Sequence, residues 1–332
     1  MLNQERGDCV ELNILSQGTE LTLDPSVTWD SVIIGGGPAG YNAALYLYRK
    51  GLRPLLLVGA RGGQVALTNE IENYLGFQSI HGGDLTEKFH QHIIGFEVDL
   101  LENVMAESIE KSDDLFKVKL SNNEVVDTKT IILATGGDNR KLGVDGETRL
   151  EGKGVSYCAI CDAPFFKGKD VVIVGGGDSA VEAAVDLSKW ASHVHLVHRS
   201  VFRADQVLID RMMEAENVTY ELGSVIQTIG GENSVEYVEI YNKEDDTVVK
   251  KETDGVFIEI GQEPRVDLVK DLVDLKDQNQ VIVDEHKNTS YPGIFAAGDV
   301  TSSPYKQVIT AASDGAVAAL TASNYIMKME EK

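Results

Sequence analysis

The chain has 332 residues, room for two domains of common size, and its hydrophobic fraction of 42% suits a globular core. Thirty Lys and Arg against 53 Asp and Glu leave a formal charge of -23, a surface that repels nucleic acid and anionic lipid. Three cysteines cannot form a disulfide scaffold in a chain of this size, no stretch approaches the roughly 20 apolar residues of a membrane span, and the N-terminus lacks a basic region followed by an apolar one. A cytoplasmic protein with neither nucleic acid nor membrane as partner is expected.

Residues 1–28 mix acids, Leu and polar residues without periodicity, so they are read as an N-terminal arm in which Cys9 is incidental. Ser31 to Ile34 is then a short apolar run entering glycines, Ala39 to Lys50 has helical spacing, and Leu55 to Val58 supplies a second strand. Between strand and helix stands Gly35-x-Gly37-x-x-Gly40, a pattern that permits a tight turn, close backbone approach to a pyrophosphate and helix packing on the sheet. Glycine turns of other α/β domains share it. Gly59 and Ala60 occupy the position where a ribose-binding acid usually stands, which leaves ribose recognition to other groups. Farther on, Leu115 to Leu120 alternates, Asn122-Asn123 can turn, and Ile131 to Leu133 has buried-strand composition, a β-meander inserted in the first unit.

Cys158-Ala-Ile-Cys161-Asp162 follows. A structural zinc site needs four ligands, and the only other cysteine is in the arm. As a redox pair, a thiolate would attack a disulfide and the second thiol would resolve the mixed disulfide, with Asp162 either moving the proton or capping a local turn. The strand-turn-helix pattern then recurs: Val171 to Val174, the fingerprint Gly175-x-Gly177-x-x-Ala180, a helix over Asp178 to Trp190 and a strand over Val194 to Val197. After this strand stand His198, Arg199 and Arg203, where guanidinium groups suit a 2′-phosphate and so favour NADP(H) over NAD, although exposed arginines after a strand are also common. The tail offers a strand at Val281 to Val283, a second at Gly293 to Asp299 and an Ala-rich helix from about Lys306 to Ile326. Asp299 can accept from a ribityl hydroxyl or serve as a plain strand-to-helix cap, and a helix N-terminus near Lys306 and Gln307 suits an anionic reduced flavin.

Taken together, Gly35-Gly-Gly-Pro-Ala-Gly40, Gly62-Gly63-Gln64, Glu72-Asn73-Tyr74, Ala134-Thr135-Gly136, Cys158-Ala-Ile-Cys161-Asp162, Gly175-Gly-Gly-Asp-Ser-Ala180 and Phe295-Ala-Ala-Gly298-Asp299 resemble the low-molecular-weight thioredoxin reductases, from about Ser31 to the C-terminus. The resemblance implies an α/β fold of two Rossmann-like three-layer dinucleotide-binding domains, the second inserted in the first. The expected division is an arm at 1–28, an FAD domain at 29–140 and 262–332, and an NAD(P) domain carrying the cysteine pair at 141–261. It implies that Gln64, Asn73, Asp299 and Gln307 contact FAD, alongside Ala134, Thr135, Gly136, Gly298 and Lys306, that Cys158 and Cys161 form the redox disulfide, and that Asp162 is the acid. The expected enzyme is an FAD-dependent thioredoxin-disulfide reductase using NADPH, with thioredoxin or a similar protein as partner, as a homodimer whose domains rotate about hinges near Lys141-Leu142 and Gly261-Gln262. Pro304-Tyr305-Lys306-Gln307 also resembles the flavoprotein subunit of alkyl hydroperoxide reductase, serving a peroxiredoxin system. Two departures stand out. His198-Arg199-Ser200-Val201-Phe202-Arg203-Ala204 is one residue shorter than the family's His-Arg-Arg-x-x-Phe-Arg-Ala, which opens the donor to NADH, ferredoxin or a deazaflavin, and Ala163 replaces a glycine after the cysteine motif.

Overall fold

The computed structural model describes residues 23–68, 70–96, 98–276 and 279–331. Cys9 and most of the expected arm lie outside them. Leu23 and Val27 already pack against the first core, and the first strand starts at Thr28.

Val, Ile and Leu runs without polar alternation are what strands buried on both faces require. The strand Thr28–Ile34 accordingly lies between Pro54–Val58 and Val125–Leu133, all parallel, with Asp99–Glu102 outside Pro54–Val58. Val125–Leu133 serves two neighbours in turn. Its first half pairs antiparallel with Leu115–Leu120, which pairs antiparallel with Ala106–Ser112, while its second half pairs parallel with Ile294–Ala296 from the far end of the chain. One face, with Ile33, Leu56, Ile132 and Phe295, is covered by the helices Pro38–Arg49 and Val308–Glu330. The other, with Val32, Leu55, Leu57 and Ile131, is covered by the antiparallel strands and by Val266, Val269 and Val273. Helix, parallel sheet and β-meander make three layers.

The second sheet repeats the plan. Asp170–Val174 lies between His193–His198 and Gly255–Ile258, with Val218–Leu222 and Val155–Ser156 at the edges, all parallel. Val171, Ile173, Leu196 and Phe257 face the helix Asp178–Leu187, and Val172, Val174, Val197 and Val256 face the antiparallel strands Ser224–Gly230 and Tyr237–Asn242. The chain crosses between the sheets twice. Gly137–Asn139 and Gln262–Pro264 run side by side as an antiparallel pair, the Arg140 N–H donates to Gly261 O at 3.0 Å, and Arg265 pairs with Asp138.

Four element bounds differ from expectation: the strand expected over Gly293 to Asp299 is limited to Ile294–Ala296, and Gly298–Val300 forms a 3₁₀ turn. The helix expected to reach Trp190 ends at Leu187, because Trp190 O turns back to accept from the Gly168 N–H at 2.8 Å. The strand expected at Val281 to Val283 shortens to Gln280–Val281, and Ile282 is exposed. The last helix runs from Val308 to Glu330 with Gln307 as its N-cap.

Candidate redox site

The first glycine turn shows which of its positions are steric and which are open. Gly35 has φ +130°, and a side chain there would meet Ala134 O at 2.1 Å; at Gly40 it would meet Gly35 O at 1.8 Å. Gly37 has nothing within 4 Å of its open side. Gly37 is also the N-cap of Pro38–Arg49, and the first amides of that helix have no side-chain cap. Uncapped amides beside an open glycine are what a pyrophosphate needs.

Other singled-out residues converge on this turn. The Gly62 N–H donates to Gly36 O at 2.8 Å, and the Gln64 side chain donates to Gly137 O at the crossing. The Ala134 N–H donates to Ile34 O at 2.9 Å, whereas Thr135 and Gly136 are tied to Arg265, through Thr135 Oγ1 to its carbonyl at 2.7 Å and Gly136 O from its N–H at 3.0 Å. Gly298, with φ +76°, lies against Ala39 and Ala311, and its N–H donates to Asp314 at 3.4 Å. The Asp299 carboxyl is largely buried and held above the usual carboxylate range by that burial, which the Lys306 ammonium opposes. Lys306, itself lowered by burial, donates to Asp299 O at 3.2 Å and to Thr301 O at 2.6 Å. A buried carboxyl and an open glycine turn, contributed by opposite ends of the chain, fit a flavin dinucleotide.

The cysteine pair abuts this region. Cys158 and Cys161 form a disulfide at the start of the short helix Ala159–Asp162. Gln307 Nε2 donates to Cys158 Sγ at 3.8 Å, and Asn73 Nδ2 donates to Gln307 Oε1 at 3.1 Å. Thus three segments distant in sequence meet through two side-chain contacts. The Asp162 carboxyl is raised by burial, with Ser156 hydrogen-bonding to it in opposition. Its side chain makes no cap bond to the turn that follows. Ser156 also accepts from the Cys158 N–H at 3.1 Å, a contact that no sequence motif announced. Among the described residues no group of His, Cys, Asp and Glu could hold a metal ion.

The second glycine turn lies behind the redox helix. A side chain on Gly175 would meet Glu259 O at 2.3 Å and Ala180 Cβ at 2.6 Å, whereas Gly177 has nothing within 4 Å and caps Asp178–Leu187 without a side-chain bond. His198 is buried, with its ring 2.3 Å from where a Cβ on Gly176 would stand; burial lowers its pKa and the Arg203 and Arg199 charges lower it further. The Arg203 N–H donates to Gly176 O at 2.7 Å, which draws the arginine loop over the turn. Arg199 and Arg203 are exposed. Glu259, not singled out in the sequence, bonds the Ala159 N–H at 3.3 Å and joins this turn to the redox helix.

A family model described as pyridine nucleotide-disulphide oxidoreductase matches residues 29–315. An alkyl hydroperoxide reductase component of Staphylococcus aureus, the F subunit, is 40% identical over 301 residues, 90% of this chain and 59% of that protein, and a protein of Bacillus subtilis named NADH dehydrogenase is 38% identical over the same shares. The chain therefore spans about three-fifths of the length of these curated relatives. Thioredoxin reductase from Streptococcus pyogenes superimposes with a TM-score of 0.85 at 39% identity, covering 91% of this chain and 99% of that one. Lactococcus lactis thioredoxin reductase in its FR conformation has a TM-score of 0.63 at 37% identity, covering 91% and 100%. The match includes both glycine turns and the cysteine pair, and it implies a flavin and a pyridine nucleotide as cofactors. The chain is thioredoxin reductase-like and belongs to the pyridine nucleotide-disulphide oxidoreductase family.

Proposed function

We propose that the protein is a thioredoxin-disulfide reductase passing electrons from NADPH through FAD and the Cys158–Cys161 disulfide to thioredoxin or a similar protein disulfide. The observation that carries the proposal is the Gln307 contact to Cys158, which puts a disulfide of the inserted half against the N-cap of the last helix, beside the candidate flavin site. The proposed division is 29–140 with 262–332 as the flavin half and 141–261 as the nucleotide and redox half, the whole acting as a cytoplasmic homodimer. Among the described residues no helix is long and apolar enough to cross a membrane.

Bound in its half, FAD supplies two-electron transfer between a nicotinamide and the disulfide. Gly35, Gly37 and Gly40 would admit its pyrophosphate, and Asp299, Lys306, Gln64, Asn73 and Gln307 would hold and orient it. Gly175, Gly177 and Ala180 hold the nicotinamide nucleotide's pyrophosphate, with His198, Arg199 and Arg203 at its ribose end. After reduction Cys158 attacks the partner's disulfide and Cys161 resolves the mixed disulfide, while the buried Asp162 carboxyl holds and returns the proton. The disulfide and the nicotinamide site belong to one half and must visit one flavin, so that half rotates about the paired crossing strands. Two solved relatives of near-equal identity and coverage but TM-scores of 0.85 and 0.63 support such a freedom, since equal halves in a different mutual orientation lower the score.

A second reading, with NADH as donor and a peroxiredoxin system as acceptor, is favoured by the relatives named for alkyl hydroperoxide reductase and NADH dehydrogenase. Stopped-flow bleaching of the flavin by NADPH, NADH, reduced ferredoxin and a reduced deazaflavin, followed by turnover with thioredoxin, separates the two. Fast bleaching by NADPH with thioredoxin reduction is expected. Bleaching only by NADH supports the second reading, and bleaching by neither nucleotide overturns both.

A further inference from the structure

Glu259 follows the strand Gly255–Ile258 and belongs to both features of the second half. Its backbone walls the glycine turn: its N–H donates to Val174 O at 2.8 Å, and its carbonyl occupies the place where a Gly175 side chain would go. Its carboxylate reaches the other way and accepts from the Ala159 N–H, the first amide after Cys158. Cys158 Sγ in turn accepts from the Cys161 N–H at 3.3 Å, so the held amide lies inside the redox loop. Glu259 makes no ion pair among the described residues. The carboxyl is pushed up to about 7 by burial, offset only by the Ala159 amide. The charged and titratable groups on the surrounding elements include Asp162 on the redox helix, Asp178, Glu182 and Asp186 on the helix after the glycine turn, and His198, Arg199 and Arg203 beyond Gly176.

We propose that Glu259 is a positioning residue that sets the reactivity of the cysteine pair: its carboxylate holds the Ala159 amide and places a negative charge one peptide from Cys158. The inference rests on the pair cycling between disulfide and dithiol, as proposed above. Reduction breaks the S–S bond with two electrons and two protons, leaving two thiols, and Cys158 acts once it has lost its proton. A carboxylate beside that sulfur disfavours the thiolate and raises the thiol pKa, which lowers the reduction potential at any pH high enough for the thiolate to form. Protonation of Glu259 removes the penalty, so neutralising this carboxyl makes the Cys158 thiolate easier to form.

The test uses the flavin-loaded wild-type protein and E259Q, which keeps the shape and an oxygen acceptor but removes the charge. Each is equilibrated with dithiothreitol redox buffers and the thiols are counted by alkylation and mass. At a pH above the Cys158 pKa, the equilibrium in E259Q should move about tenfold toward the reduced pair, which is about 30 mV for a two-electron couple. In a Cys161→Ser background the alkylation profile of Cys158 should shift to lower pH, and an inflection near pH 7 should be present only with Glu259. E259D retains a carboxylate and should stay within about threefold of wild type. Identical redox constants and alkylation profiles in wild type and E259Q overturn the proposal, as does an E259D shift equal to that of E259Q. A pair that no dithiothreitol buffer reduces overturns instead the reading that Cys158 and Cys161 cycle.

Discussion

The two glycine turns share a fingerprint and differ in their surroundings. In both, the first position is crowded against backbone, at Gly35 and at Gly175; in the first, the third position must also be glycine, because a side chain on Gly40 would lie 1.8 Å from Gly35 O, whereas in the second Ala180 fits there. The arginines differ more. Arg61, just after the second strand of the first half, donates to Glu102 at 2.8 and 2.9 Å and to Glu87 at 2.9 Å, so carboxylates neutralise it where it stands. Arg199 and Arg203, after the corresponding strand of the second half, are exposed and make no ion pair among the described residues. One backbone motif thus stands in two electrostatic settings, because arginine charge after the second strand is spent on neighbouring carboxylates in the first half and makes no ion pair among the described residues in the second.

The largest test of this division removes the redox pair from the second half. Cys158→Ser or Cys161→Ser should abolish reduction of a protein disulfide while the flavin still bleaches with the nicotinamide donor; thioredoxin turnover in either variant would mean that the pair is structural. Asp162→Asn is expected to slow disulfide reduction by about 10²- to 10⁴-fold, the usual range for a lost acid-base group. Its stability effect has the opposite sign. A carboxyl whose folded pKa is raised adds stability only below its unfolded pKa and loses it as pH rises through the folded pKa. Because burial raises Asp162, its ionised form costs native stability at neutral pH. Asp162→Asn should therefore melt higher than wild type at pH 7, with the gap closing as pH falls through the raised carboxyl pKa and gone below about pH 4. Equal melting temperatures at both pH values would show the carboxyl to be solvated.

At the ribose end, Arg199→Ala should reduce the NADPH over NADH preference in kcat/KM by about 10- to 150-fold, corresponding to about 1.5 to 3 kcal/mol for a hydrogen bond to a charged group. Arg61→Ala should leave that ratio unchanged. A preference insensitive to Arg199 would place nucleotide selection elsewhere. The smallest effects separate the third glycine positions. Gly40→Ala should destabilise the flavin-loaded protein by about 1 to 3 kcal/mol through overpacking and weaken FAD retention, whereas Ala180→Gly should cost about 1 kcal/mol in helix propensity with FAD retained. Equal losses in thermal melts and flavin content would erase the difference between the turns.

The strand-turn-helix units at Gly35 and Gly175, the β-meander and the long last helix were legible in the chain, because apolar runs, alternation and helical spacing are local properties. So was the candidate site, as residue types in motif order. Its supporting contacts were not. Ser156, Glu259 and Arg61 carry no motif; Glu259 and Arg61 acquire their partners only when segments tens of residues apart fold together, and Ser156 bonds the Cys158 N–H two residues on. The early end of the second helix at Leu187 followed from a turn bond between Gly168 and Trp190 that no helical period contains.

The sequence by itself determined that two dinucleotide units exist, which of them carries the cysteines, and that the first is assembled from both ends of the chain, since glycine spacing and buried-strand runs encode backbone geometry directly. Only the tertiary structure decided that the disulfide rests against Gln307, that Asp162 and Asp299 are buried and so titrate high, and that Arg199 and Arg203 are left without a carboxylate while Arg61 is not. Burial and charge pairing are properties of the surroundings, and the surroundings of each group come from segments that its own neighbours in the chain do not specify.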